Sequence, residues 1–196
     1  MSATRLTSLR AKRSNPSKGR AAEWMATSLA LLAMTVGLAA CQATQPAAKI
    51  DAAFDEKEAA YIHKQGETRI DGHAFVKTPN GTAKHAVGEP VRLIPATAYA
   101  RERFEKLYGG KKFIPPGDYR QAESTDPAYV AAQRTTKADS NGRFSFDKVG
   151  PGTYYLSTQV VWKPEGAYQP QGGAVWELVT VTGKEDKPIK AIVNGL

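Results

Sequence analysis

Cysteine occurs once in the 196 residues, at Cys41, and histidine three times, at His63, His73 and His85. A single thiol excludes an intramolecular disulfide, so in an oxidising compartment the folded part must hold together by its core alone. None of the imidazoles sits at the spacing of a helical ligand pair, and no Gly-x-Ser-x-Gly elbow occurs, which leaves little for transition-metal or serine-nucleophile chemistry. A continuous apolar run of the ~20 residues that a spanning helix needs is missing too. Net charge is also small once it is located. Residues 1–40 hold six basic side chains against Glu23 alone, so of the 27 basic and 19 acidic residues, 21 and 18 remain for the rest of the chain. The formal +8 is therefore mostly a property of the leader. With no basic stripe carrying interleaved aromatics, nucleic acid is not the expected partner.

What is present starts with that leader. A positively charged opening, the stretch MATSLALLAMTVGLAA from Met25 to Ala40, and small residues before Cys41 make the three parts of a secretory signal peptide, predicted over residues 1–40. Leu38, Ala39, Ala40 and Cys41 resemble the bacterial lipobox. That resemblance implies cleavage between Ala40 and Cys41 and a thioether from the Cys41 sulfur to diacylglycerol. A further acyl chain of the palmitate kind on the freed amino group would complete a lipoprotein anchor. Two or more chains give stable membrane attachment at ~0.8 kcal/mol per buried CH₂. Gln42, rather than aspartate, after the cysteine implies sorting to the outer membrane.

Residues 41–53, small, polar and proline-containing, read as a flexible tether between envelope and domain. Good helix formers over 54–66, with Gly66 as a stop, predict one short helix. From residue 67 to 196 the apolar period changes to two and turn residues recur at short intervals. In RIDGHAFVK, Ile70, Gly72, Ala74 and Val76 form one face. The segments VRLI, AYVAAQRTTKA, RFSF, GTYYLSTQVVW, VWELVTV and IKAIV bring the expectation to seven strands, the number of an antiparallel sandwich. Between the second and third strands lies a long irregular insertion, residues 95–128. Ala100, Phe104, Leu107 and Tyr108 fall at helical spacing there, with Gly109 as the C-cap. Irregular connections of this length inside a compact domain are usually functional, which makes the insertion a first place to look for a contact surface.

The most specific folded-domain signal is ADSNGRFSFDKVGPGTYYL, residues 138–156. Asn141 and Gly142 permit a hairpin turn, Phe144 and Phe146 alternate inward, and Pro151 with Gly152 makes a corner before Tyr154 and Leu156. This pattern resembles the hairpin of the carboxypeptidase regulatory-like family, related in fold to transthyretin and to the B-type repeats of the collagen adhesin. The resemblance implies an all-β, prealbumin-like or Ig-like sandwich with a helical insertion after the second strand, and no particular reaction. Some B-type repeats form a lysine–asparagine crosslink beside a buried acid. Lys77 and Asn194 would be the pair, but the acid position falls at Thr158, which leaves the amide-forming step without its proton shuttle.

The remaining chemistry-bearing residues read as follows. KADSNG matches calcium loops only in part, because Lys137 and Lys148 occupy ligand positions, so Asp139 and Asn141 are expected as turn formers. Asp71 and His73 share a strand face and are expected to be a solvated pair. Trp162, Tyr168 and Trp176 surround a Pro- and Gly-rich loop, residues 163–173. Flat rings of this kind stack on sugar faces, although strand aromatics more often pack on their neighbours. With Tyr99 and Tyr108 of the insertion they are the candidate ligand-binding residues; no cofactor or metal is expected. The sequence thus predicts a lipid-anchored envelope protein with a non-catalytic binding or structural module, whose partner is an envelope protein or a glycan. Carbohydrate or cell-wall glycan binding is the second reading. The third is an accessory subunit or enzyme with a cleft under the insertion, which needs Asp71 and His73 to converge with an insertion residue.

Overall fold

The computed structural model describes residues 46–196; the predicted signal peptide, its cleavage site at Ala40 and Cys41 and the lipid attachment at Cys41 lie outside the described residues. Within them the chain forms β1 (Gln65–Lys77), β2 (Ala83–His85), β3 (Pro90–Pro95), β4 (Phe113–Ile114), β5 (Arg134–Lys137), β6 (Arg143–Val149), β7 (Gly152–Trp162), β8 (Gln171–Val181) and β9 (Ile189–Val193). Three short helices accompany them: α1 (Glu56–Ala59, continued by a 3₁₀ turn over Ala60–His63), α2 (Ala98–Tyr108) and α3 (Pro127–Ala131). None of these helices is long and apolar enough to cross a membrane.

The strands make two sheets, one of β2-β1-β6 with β9 also on β1, and one in the order β4-β8-β7-β3-β5. All pairings are antiparallel except β1 with β9, which runs parallel from Ile70↔Ile189 to Ala74↔Val193. The all-β sandwich expected from the alternation is what forms. Among the described residues nine strands are present rather than seven, because β2 and β4 are three- and two-residue segments without a periodic signal of their own.

Alternation places the core between the sheets. Ile70, Ala74 and Val76 of β1 meet Phe144 and Phe146 of β6, and Tyr154, Leu156 and Val160 of β7 close the space from the opposite sheet. Ile70, Leu93, Tyr154 and Leu156 are fully buried, each apolar side chain contributing about 1.5–3 kcal/mol of transfer free energy. Gly72 belongs to this design. A Cβ there would lie 2.0 Å from the Phe144 ring, so its bare backbone is the bed on which Phe144 lies. The hairpin turn is built as its residues suggest: Gly142 has φ 72°, and Asp139 Oδ1 accepts from the amides of Asn141 and Arg143, both at 2.8 Å.

The five-stranded sheet has a second covered face. Tyr155, Ser157 and Gln159 alternate with the core residues of β7 and point away from the other sheet, as do Arg92 and Ile94 of β3 and Ala174 and Trp176 of β8. Helix α2 lies over this face. Thr97 caps it by accepting from the Ala100 amide, the Glu58 carboxylate receives the Ala98 amide, and Gly109 ends it in the left-handed conformation. Phe104 stacks on Tyr155 at 4.0 Å between ring centres and 6° between planes, and the Trp176 edge meets both rings.

Three expectations are corrected. AYVAAQRTTKA is not one strand. Asp126 accepts from the Ala128 amide and Pro127 occupies the first turn, so residues 127–131 become α3 and only Arg134–Lys137 is extended. The short helix stops before Gly66, since the strand already begins at Gln65. Residues 48–53 of the expected tether are instead packed on the domain, because Ala48 pairs its backbone with Gln121 and Glu123 and is buried. Glu102 accepts from the amides of Asp51 and Ala52, and Lys106 lies 2.7 Å from Asp51 and 2.6 Å from Glu102. Residues 48–54 are thereby laid along α2.

Candidate functional site

Where α2 leaves the sheet uncovered, a pocket of about 350 Å³ remains. Its floor is the outer face of the sheet, with Arg92 and Ile94 from β3, Ser157 and Gln159 from β7 and Ala174 from β8. Its wall is α2, through Arg103, Phe104, Leu107 and Tyr108, and its rim is Tyr119 and Thr125 of the insertion with Tyr129, Val130 and Gln133 of and after α3. The volume is at the lower end of the range for small-molecule sites, and the mix of aromatic walls with a few converging polar groups is what such sites contain.

The electrostatics are one-sided. Two guanidinium groups line the pocket and no Asp, Glu, Lys, His or Cys does, among the described residues. Arg103 lies with its guanidinium carbon 5.4 Å from the centre of the Tyr129 ring, a cation–π contact. Its Nη1 is buried and has no hydrogen-bond partner among the described residues. Burial pushes the Tyr129 phenol well up, against the opposing charge of Arg103. Burial likewise raises Tyr108, opposed by a hydrogen bond from Ser157. Both phenols therefore stay protonated at neutral pH. The pocket offers hydroxyl, amide and guanidinium donors, and no group poised to take up or release a proton near pH 7.

The candidate ligand residues read from the sequence come apart in space. Tyr108 is on the pocket wall. Tyr99 is buried beside it in the packing of Phe54 and Tyr129, where its hydroxyl accepts from the Asp126 amide at 3.4 Å. Trp176 belongs to the aromatic layer under α2 and donates its indole N–H to Lys111 O at 2.9 Å. Trp162 points to the opposite side of the sheet, half-buried against the inner core at the end of the sandwich. Tyr168 is 96% exposed on the loop beyond it. Trp162, Tyr168 and Trp176 thus form no common platform. Arg92, Arg103, Tyr129, Gln133, Ser157 and Gln159 were not singled out by the sequence. Their one signal is that Arg92, Ser157 and Gln159 occupy outward positions on strands whose inward positions are apolar.

A second concavity, of about 810 Å³, opens at the end of the sandwich near Trp162, Phe113, Pro164 and Leu196, with Lys77 and Asn194 on its edge. Thr158, at the acid position of the crosslinking pattern, donates its hydroxyl to Pro90 O at 2.9 Å, which satisfies it structurally.

Asp71 and His73 do not approach the insertion. Asp71 pairs with Arg69 and Lys190, both bases holding its carboxyl below the usual range. His73 faces His85 across the β1–β2 ladder with Nε2 and Nδ1 3.1 Å apart. Burial, then the neighbouring His85 and Arg143, push the His73 imidazole down. No group of three or more His, Cys, Asp or Glu side chains stands at metal-holding distances among the described residues.

No protein-family model matches the chain, and no curated protein matches it. Among solved structures, the chain is similar to a candidate carbohydrate-binding protein from Pseudomonas aeruginosa, at 29% identity and a TM-score of 0.61, over 73% of this chain and 98% of that one. A fimbrial protein, FimP from Actonomyces oris, aligns at 14% identity and a TM-score of 0.32, over 67% of this chain and 30% of that one.

Proposed function

We propose that this protein is a non-catalytic glycan-binding module of the bacterial envelope, held by a lipid on Cys41, and that the pocket beneath the insertion is its binding site. The observation that carries the reading is the likeness to the Pseudomonas aeruginosa protein. It runs over nearly the whole of that chain at 29% identity, and that protein is itself described as a candidate carbohydrate binder. The pocket supports it. Phe104, Tyr108 and Tyr129 give it an aromatic lining, while Ser157, Gln133 and Gln159 supply hydrogen bonds suited to sugar hydroxyls. The lack of any carboxylate, imidazole or thiol among the described lining residues favours binding over turnover.

The lipid anchor rests on the lipobox resemblance at Leu38–Cys41, and the outer membrane on Gln42. Two measurements test the proposal. A glycan array probed with the chain, followed by calorimetry, should find a saccharide whose affinity falls at least tenfold in Gln159→Ala and is unchanged in Trp162→Ala. The opposite pattern moves the site to the concavity at the sandwich end. Intact mass of membrane-purified protein should begin at Cys41 with two or three acyl chains, lost in Cys41→Ala. An unmodified product cut elsewhere removes the anchor.

A further inference from the structure

We infer that the pocket beneath the insertion selects an acidic sugar, a pyranose bearing a carboxylate, with Arg103 and Arg92 receiving that carboxylate; this rests on the glycan-binding reading above. The starting point is a buried donor with nothing to bond. Nearly all buried N–H groups in folded proteins find an acceptor, yet Arg103 Nη1 has none among the described residues. A guanidinium cannot discard its proton to escape the cost, so the group stays charged and lacks an acceptor.

The surroundings do not supply a counter-charge. No acidic side chain lines the pocket among the described residues, and Arg92 adds a second positive charge to the same floor. The Tyr129 ring lies 5.4 Å from the guanidinium carbon and restrains the group by cation–π attraction, and its fork of donors matches the two oxygens of a carboxylate. An inorganic oxyanion could use the same fork. It would leave the aromatic lining of Phe104, Tyr108 and Tyr129 and the Gln133, Ser157 and Gln159 side chains without a role, whereas a carboxylated pyranose engages both halves of the lining.

The test is titration calorimetry on the full chain with three probes: a glucuronate-containing oligosaccharide, the matching neutral glucose oligosaccharide, and inorganic phosphate. The acidic saccharide should bind at least tenfold more tightly than either of the others, and the preference should shrink in 0.5 M salt. Arg103→Gln should lose at least tenfold for the acidic probe and far less for the neutral one, so that the acidic preference collapses, and should keep or raise the thermal midpoint, because an unsatisfied buried charge has been removed. Should Arg103→Gln fail to fold, Arg92→Gln carries the same test, since β3 is bonded on both sides by β5 and β7. Equal binding of neutral and acidic sugars overturns the charge assignment and leaves the glycan reading standing; no binding of either sugar sinks both. Phosphate binding as tightly as the uronate, or an unaffected Arg103→Gln, also overturns the proposal.

Discussion

The two faces of the five-stranded sheet carry alternate residues of the same strands and are built for different ends. Toward the other sheet, Leu93, Leu156, Val160 and Val175 meet a dry, largely aliphatic interior and leave no charge behind. Away from it, Arg92, Tyr155, Ser157 and Trp176 meet an aromatic layer and then a pocket with an unpaired guanidinium. Packing to crystal-like density secures the fold on the first face. On the second, density is given up over one patch, and a polar group is left without its bond. Burial of that kind is a cost to folding, which is why its presence points to a ligand rather than to stability.

The sharpest way to break this contrast is to empty the inner face. Leu156→Ala should cost about 2–5 kcal/mol in urea unfolding, from lost transfer energy and the cavity left behind. The whole domain should unfold at lower denaturant in one transition. If instead α2 melts separately and the sheets hold, the inner face is not the source of cohesion.

Overfilling the same side comes next. Gly72→Ala drives a methyl into Phe144 and should cost about 1–3 kcal/mol, with a shifted Phe144 ring resonance. On the outer face, Trp176→Phe keeps most of the ring contacts with Phe104 and Tyr155 but loses the bond to Lys111 O, about 1 kcal/mol. Its effect should concentrate in faster hydrogen exchange of α2 amides rather than in the global midpoint.

The smallest effect is visible only against pH. Glu185, which accepts from the Thr182 amide and hydroxyl and from the Thr68 hydroxyl, is held down to about 2 from an ordinary 4.5. Its folded-state value is depressed, so its contribution is complete above about 4.5 and disappears as pH falls through about 2. Glu185→Gln should therefore lower the urea midpoint at pH 7 and coincide with wild type near pH 2. A difference that persists at pH 2 would show the carboxylate charge is not what holds the β8–β9 loop to β1.

The inner face was far more legible in the sequence than the outer one. Ile70, Ala74, Phe144, Phe146, Tyr154 and Leu156 declare themselves by period two, and Gly142 marks its turn because few other residues accept its backbone angles. The helical spacing of Ala100, Phe104, Leu107 and Tyr108 also reads correctly. What the helix covers does not, because Arg92 and Arg103 come together only when the insertion folds back over the sheet. β9 could not be assigned its parallel partner, since five residues of IKAIV suit either direction. Ala48, Ile50, Ala52 and Phe54 do carry a period-two pattern, hidden by the small polar residues around Gln45 and Pro46. The Asp126-Pro127 start of α3 is masked in the sequence by the β-branched Val130, Thr135 and Thr136 that follow it.

The run of contacts that lays residues 48–54 along α2 has a mechanical meaning. A pull on the chain from the N-terminal side loads the clasp of Ala48 with Gln121 and Glu123 first, then the Asp51–Glu102–Lys106 cluster, then Phe54 against Tyr99 and Tyr129. Only after these does force reach Tyr61, whose hydroxyl is bonded to Ala96 and Thr153 at the sandwich itself. The wall of the pocket is thus wired in series ahead of the core, so tension would peel it before the sheets feel strain. On the proposed function, a ligand spanning wall and floor would act as a rivet across that seam, and its grip and the tension on the chain would oppose each other directly.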